Sequence, residues 1–363
     1  MKISKKQVNI KYTRHTTSYQ THKHLTKKKQ DITYPWYADE YKLDLIRIQD
    51  ILNRSISQLK IYTSSPLKDY PRYNKPFYKL KLREKTNTDM INAYYIIRSP
   101  WNDNIEINSL TDYFTERCRM QCRFGKSLSP LDYWHQNNKK IIGELQARNE
   151  NISNYNVREW MYTKNKQIFC NNFRISVCLE VLDIFKPAKW LDISAGWGDR
   201  LISAILSPWV REYCGVDPNP CLHPGYKSII QQLDPNSAKR CTLIQDGFET
   251  AKLPTSKFDL VFSSPPFFDL EIYSNASPDS LVQYNTVDKW FNGFLMPSIK
   301  KAIRHLNKGG YLVLYMGESH GTEKYISRMI TQTDKIAHNA GRFYYTDGIG
   351  TNAKLREFYC WQL

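Results

Sequence analysis

A chain of 363 residues can hold two or three domains, or one domain with a long extension. Its net charge of +17 is lopsided: residues 1–100 carry 21 Lys and Arg against 8 Asp and Glu, which leaves only +4 for everything after them. That asymmetry suggests a polyanion-binding first part joined to a nearly neutral second part. No run of about 18 apolar residues occurs, so no membrane span is expected. The eight cysteines form no C-x-x-C pair and no zinc-finger spacing. Free thiols in a reducing intracellular compartment, the cytoplasm or nucleus, fit better than a disulfide framework, and no metal is expected.

Residues 1–38 read as a flexible basic arm, in which Lys5, Lys6, Lys11, Arg14 and Lys27 to Lys29 alternate with Tyr12, Tyr19, Tyr34 and Trp36. Cations interleaved with aromatics suit the phosphates and bases of a single strand. Residues 1–30 contain no acid, yet lack the apolar centre of a secretory signal. Residues 39–156 are expected to form a basic, mainly helical region: one helix over 41–59, another from Ser109 or Thr111, and a third opened by Ser129-Pro130. The turn-rich stretch 63–87, with Pro66, Pro71 and Pro76 among lysines and arginines, reads as short strands or loops. The spacing then predicts a helix over 175–185, stopped by Pro187.

From there the pattern alternates. Strands are expected at 189–194, 212–217, 241–246, 258–263 and 310–316, with more near 342–347 and 356–362; helices are expected at 198–207, 225–233, 288–306 and 323–332. Such alternation predicts an α/β fold with a mostly parallel sheet covered on both faces.

Four successive strand ends carry the chemistry. The first delivers Asp192-Ile-Ser194-Ala-Gly196-Trp-Gly198-Asp199-Arg200, a tight glycine turn into a helix. A G-x-G-x-x-G loop would hold pyrophosphate, but Leu201 occupies the third position, which weakens that reading. The second ends at Asp217, placed to accept two ribose hydroxyls. The third ends at Asp246-Gly-Phe248, an acid and a ring that could grip an adenine. The fourth ends at Ser264-Pro265-Pro266-Phe267, where two prolines must stop a central strand. That loop offers the Ser264 hydroxyl and the prolines' carbonyls as acceptors, beside the flat face of Phe267, which suits an exocyclic amine on an aromatic base.

Together these motifs resemble the amino-methylating branch of the class I S-adenosylmethionine-dependent methyltransferases, whose signature is (D/N/S)-P-P-(Y/F/W). Over about residues 157–363 the chain is similar to DNA-methyltransferase-like proteins of phages and large viruses. The resemblance implies a Rossmann-like methyltransferase domain with a seven-stranded, mostly parallel sheet. It implies S-adenosylmethionine as cofactor, with Asp192, Ser194, Gly196 and Gly198 on its methionine part, Asp217 on the ribose, and Asp246 and Phe248 on the adenine. Asn172 and Phe173, just before the first strand, become candidates for the methionine end. Ser264, Pro265, Pro266 and Phe267 become the catalytic loop, with Phe268, Asp269, Glu271 and Tyr273 following it.

The expected reaction is methylation of cytosine N4 or adenine N6 in DNA, with RNA the next choice. A protein glutamine methyltransferase and a non-catalytic binding subunit are further alternatives. Family members often carry a target-recognition domain after the P-P motif, and the 97 residues that follow Pro266 leave no room for one. Recognition would then fall to the basic first half or to a partner protein.

Overall fold

The computed structural model describes residues 34–363 apart from 41, 54–57, 84–89, 101–103, 125–126, 164–168, 269–270, 274–283, 318–324 and 349–352. The basic arm therefore lies outside the described residues up to residue 33. Its expected last residues do not behave as an arm. Tyr34 is buried and its hydroxyl meets the Met120 sulfur, the Tyr37 amide donates to Glu116, and Arg158 donates to the Pro35 carbonyl.

The strands, in chain order, are β1 Gln58–Tyr62, β2 Leu80–Arg83, β3 Met90–Arg98, β4 Arg123–Phe124, β5 Lys189–Asp192, β6 Glu212–Val216, β7 Arg240–Ile244, β8 Phe258–Ser263, β9 Glu271–Ile272, β10 Leu306–Tyr315, β11 His338–Thr346 and β12 Arg356–Gln362. Seven of them form the expected sheet, in the order β11-β12-β10-β8-β5-β6-β7. All the pairings from β10 to β7 are parallel, and β12 runs against both of its neighbours. This is the Rossmann-like class I methyltransferase arrangement that the resemblance implied, and its parallel strands are those that the alternation of elements predicted.

Side-chain alternation divides the core between the two faces of the sheet. Trp190, Leu260, Phe262 and Val313 pack on one side with the helices Ile175–Phe185, Asp199–Leu206 and His223–Leu233. Leu191, Val261, Leu312 and Leu314 pack on the other with the helices Met296–Arg304 and Tyr325–Thr333.

The sheet is wider than expected. Beyond β11 it continues through β2, β3 and β1, giving ten strands among the described residues. Part of the 39–156 stretch, expected to be mainly helical, completes the sheet. Tyr-Tyr-Ile-Ile within β3 is a short apolar run whose strand character shows only once β11 is there to pair with it, Tyr344 lying opposite Ile96. Its helices do occur: Leu45–Asn53, Asp112–Arg119 and Pro130–Ala147, the last with the Ser129 hydroxyl accepting from the Asp132 amide. Tyr34–Leu363 forms one compact body.

Two of the eight cysteines depart from the expected free-thiol chemistry. Cys118, in the helix Asp112–Arg119, is joined to Cys221 by a disulfide, and the remaining six form none. A separation of 103 residues kept this pair out of any local spacing pattern. Among the described residues no helix is long and apolar enough to cross a membrane, and no cluster of three or more His, Cys, Asp or Glu could hold a metal ion.

Candidate active site

The strand order reverses at β5, with β6 and β7 on one side and β8 and β10 on the other. In open α/β sheets ligands bind in the crevice beyond the carboxyl ends of strands at such a point. Leu191 pairs with Val261 across the β5–β8 ladder. Three residues further along each chain stand Ser194 and Ser264, the heads of the glycine turn and of the proline loop. The fold therefore brings the two corners to adjacent strand tips.

Asp192 holds these tips together. It is fully buried, and its carboxylate accepts from Arg200 Nε at 2.8 Å, the Tyr213 hydroxyl at 2.9 Å, the Ser263 hydroxyl at 2.7 Å and the Ser194 amide at 3.3 Å. Both oxygens are thus spent on β6, β8 and the following helix. Direct cofactor contact, expected of Asp192, gives way to a positioning role. Arg200, whose guanidinium also donates to the Ser194 carbonyl, was quoted in the motif but given no task; it is the cation that makes a buried carboxylate affordable here.

Gly196 and Gly198 take φ values of +61° and +101°, which side-chain-bearing residues rarely adopt. A Cβ on Gly198 would also stand 2.8 Å from Ile229 Cδ1, so the glycine lets the helix His223–Leu233 close on the turn. The Tyr226 hydroxyl of that helix donates to the Gly196 carbonyl.

Asp217 follows β6 directly, as expected, and is 8% exposed. One oxygen accepts from the Gly196 amide at 2.8 Å and the other from the Asn219 amide at 3.0 Å. Burial pushes its pKa up to about 6, with those two amides holding it back.

At the third tip the two expected residues part company. Asp246 is half-buried and accepts from the Gly247 amide and the Thr250 hydroxyl. Phe248 is only 1% exposed, and its ring packs in the core with the Lys301 ammonium 5.1 Å from its centre. It has no face to offer an adenine, because the chain turns inward after Gly247.

In the fourth loop Ser264, Pro266 and Phe267 are half-buried and Pro265 is buried. The Phe267 ring lies 5.8 Å from that of Tyr315, against Gly317. Phe268 packs on Trp290 at 5.9 Å rather than beside Phe267. Asp269 lies outside the described residues.

The sequence reading missed how the first half of the chain grips the glycine turn. Thr115 donates to the Trp197 carbonyl at 2.7 Å, and Thr111 to Asp199 Oδ1 at 2.5 Å. Asp199 is buried, which pushes its carboxyl up to about 7, and it also accepts from the Phe173 amide. The Trp197 indole donates to the Asn171 carbonyl. Asn172 donates to Asp112 at 3.0 Å, while its own Oδ1 is buried without a partner. Phe173 is half-buried among Phe262, Tyr315 and Phe358, so its ring supports the site from beneath.

A second bridge crosses the site. β9, which follows the proline loop, pairs with β4 from the first half, and the Cys122 thiol donates to the Tyr273 carbonyl at 2.7 Å. The Tyr273 ring then meets Trp197 of the glycine turn at 5.7 Å. The two corners are therefore joined below by Ser263 and Asp192 and again by Tyr273 and Trp197.

No family profile matches the chain, and neither does any curated protein. Solved structures do. A methyltransferase from Pyrococcus furiosus is 16% identical over 52% of this chain and 83% of its own, with a TM-score of 0.37. A Listeria monocytogenes protein provisionally classed as a class I S-adenosylmethionine-dependent methyltransferase is 16% identical over 72% and 83%, with a TM-score of 0.40. An rRNA methylase from Streptococcus thermophilus is 13% identical over 52% and 95%, with a TM-score of 0.35. Likenesses at this level carry no weight for function; the fold stands on the strand order of the sheet itself.

Proposed function

We propose that the chain is a nucleic-acid amino-methyltransferase that moves a methyl group from S-adenosylmethionine to an exocyclic amine, cytosine N4 or adenine N6, of a base outside its stack. The observation that carries this reading is the placement of the glycine turn and the Ser264–Phe267 loop on adjacent strand tips, tied through Ser263 and Asp192.

The donor set fits the cofactor. The orphaned Asn172 Oδ1 is an acceptor suited to an ammonium group, Asp217 to a pair of hydroxyls, and Asp246 to an amine, while the buried Phe248 takes no part. When bound, S-adenosylmethionine supplies an electrophilic methyl group on a sulfonium.

The chain's own residues do the rest. An amine conjugated to a ring is a poor nucleophile, because its lone pair is delocalised. The Ser264 hydroxyl and the Pro265 carbonyl accept its two N–H bonds and turn the lone pair out of conjugation. Phe267 stacks on the extruded base, and the contact of Tyr273 with Trp197 ties the loop that follows it to the glycine turn. The proton lost from nitrogen leaves to solvent.

DNA is favoured and RNA is the next choice; the basic first hundred residues disfavour a protein amide as acceptor. Incubation with methyl-labelled S-adenosylmethionine and single-stranded DNA, RNA or protein tests the reading. Label in nucleic acid, recovered as N4-methylcytosine or N6-methyladenine after digestion to nucleosides, is expected; label confined to protein, or none, overturns it.

A further inference from the structure

We infer that Arg123 on β4 is the residue that holds a backbone phosphate of the target strand, an inference that rests on the nucleic-acid reading above. Four arginines around the site have acceptors. Arg119 donates to the Cys170 carbonyl and Asp112, Arg158 to Glu116, Arg174 to the Ser99 carbonyl and Asp347, and Arg200 to Asp192. The Nε of Arg119 and of Arg98 are buried without partners as well, but Arg119 keeps its other nitrogens on Cys170 and Asp112, and Arg98 lies on β3, beyond β11. Arg123 combines a buried, unpartnered Nε with a place beside the acceptor loop, and among the described residues no carboxylate or carbonyl takes any of its nitrogens. A donor withheld from both water and protein costs free energy unless a ligand fills it.

Its position says which ligand. Arg123 lies opposite Ile272 of β9, five residues past Phe267, in the strand pair that follows the acceptor loop. The neighbouring Cys122 fixes that pair to Tyr273, and Tyr273 fixes it to the glycine turn. A base delivered to Ser264 and Phe267 brings its own phosphodiester within one nucleotide of them. A planar guanidinium with open donors matches phosphate oxygens in pairs, whereas a neutral amide substrate would give it nothing to hold. β4 was invisible as a functional element in the sequence because two residues of strand give no periodicity.

The test uses the full chain and a fluorescein-labelled twelve-residue single strand of mixed sequence, titrated by anisotropy at several salt concentrations. Arg123→Ala is expected to weaken binding about tenfold and to shallow the slope of log K against log salt by about 0.7, the value for one phosphate on a single strand. Arg123→Lys should restore the slope while recovering only part of the affinity, since it keeps the charge and loses the fork. S-adenosylmethionine affinity, measured by calorimetry, should stay unchanged in both. An unchanged salt slope in Arg123→Ala, with wild-type binding and methylation intact, overturns the role of Arg123 alone. Equal loss of strand and cofactor binding assigns Arg123 to holding the loop and also overturns it. Failure of the wild type to bind or label any nucleic acid removes the functional reading, and this inference with it.

Discussion

Under the proposed function, Asp217 is a carboxylate whose task and whose environment pull in opposite directions. Accepting two hydroxyls requires the ionised form, while burial raises its pKa to about 6. Ligand binding would draw the proton off, so cofactor affinity should be flat above about pH 7 and fall roughly tenfold per pH unit below 6. Asp217→Asn should bind more weakly and lose that dependence, as calorimetric titrations from pH 5 to 8 would show. Stability runs the other way. Asp217 and Asp199, with folded pKa values of about 6 and about 7, both exceed the unfolded value of about 3.9. The native state therefore binds more protons between those limits, and this pair makes stability fall as pH rises from about 4 to about 7. Phe267 poses a simpler test. Base stacking on an aromatic is worth about 1–3 kcal/mol, so Phe267→Ala should cut turnover about 5- to 150-fold. Cofactor affinity should hardly move, and equal loss of both in a binding titration would assign the ring to packing against Tyr315 instead.

Among the elements, the helix Asp112–Arg119 has the largest reach for its eight residues. With Thr111 just ahead of it, it holds the glycine turn at Asp199 and Trp197, clasps Tyr37 through Glu116, and is joined to the segment after β6 through Cys118–Cys221. Closing a loop of this length restricts the unfolded chain, so reduction, or Cys118→Ser, should cost about 2–4 kcal/mol in urea unfolding. Under denaturing, non-reducing conditions six thiols should react with a thiol reagent, matching the six cysteines outside the disulfide; eight reactive thiols, or equal urea midpoints with and without dithiothreitol, would contradict the pairing. The strand and helix succession from 175 onward was legible because each element there carries its own period and its own stop: Pro187 after a left-handed Lys186, and the two prolines after β8. The grip of Asp112–Arg119 was not, since its contacts join residues 79 to 103 positions apart. Phe248 failed for a related reason: a strand-end aromatic can point to the crevice or to the core, and only the packing of Lys301 over it decides. Asp192 failed because the donors that saturate it, Tyr213 and Ser263, come from neighbouring strands.

For the molecule as a whole, the decisive feature is that the basic half and the half bearing the site share a sheet. β3 runs parallel to β11, Ser99 and Ser176 exchange a hydrogen bond at 2.5 Å, and Arg174 donates to the Ser99 carbonyl at 2.7 Å. β2 meets β11 at Gly341, where φ is +93° and a Cβ would stand 1.8 Å from the Lys79 carbonyl oxygen. Whatever the first half binds is thereby coupled to the edge of the sheet that carries the candidate site through backbone ladders rather than through a linker. A fragment of residues 157–363 would lose those ladders, bare the edge of β11, and expose the face that Leu80 and Ile97 now cover beside Phe343. It is expected to be aggregation-prone, with weak near-ultraviolet circular dichroism, whereas the full chain should unfold with residues 34–363 in one transition. A soluble fragment with native-like dichroism and undiminished S-adenosylmethionine affinity would show that the two halves fold independently. Gly341→Ala gives a gentler form of the same test: both the backbone conformation and the contact with Lys79 forbid the methyl group, so a loss of about 3 kcal/mol or more is expected. If the sheet is the coupling element, that loss should also appear in strand binding by the first half, while a variant that loses stability with strand affinity intact would confine the damage to the β2–β11 junction.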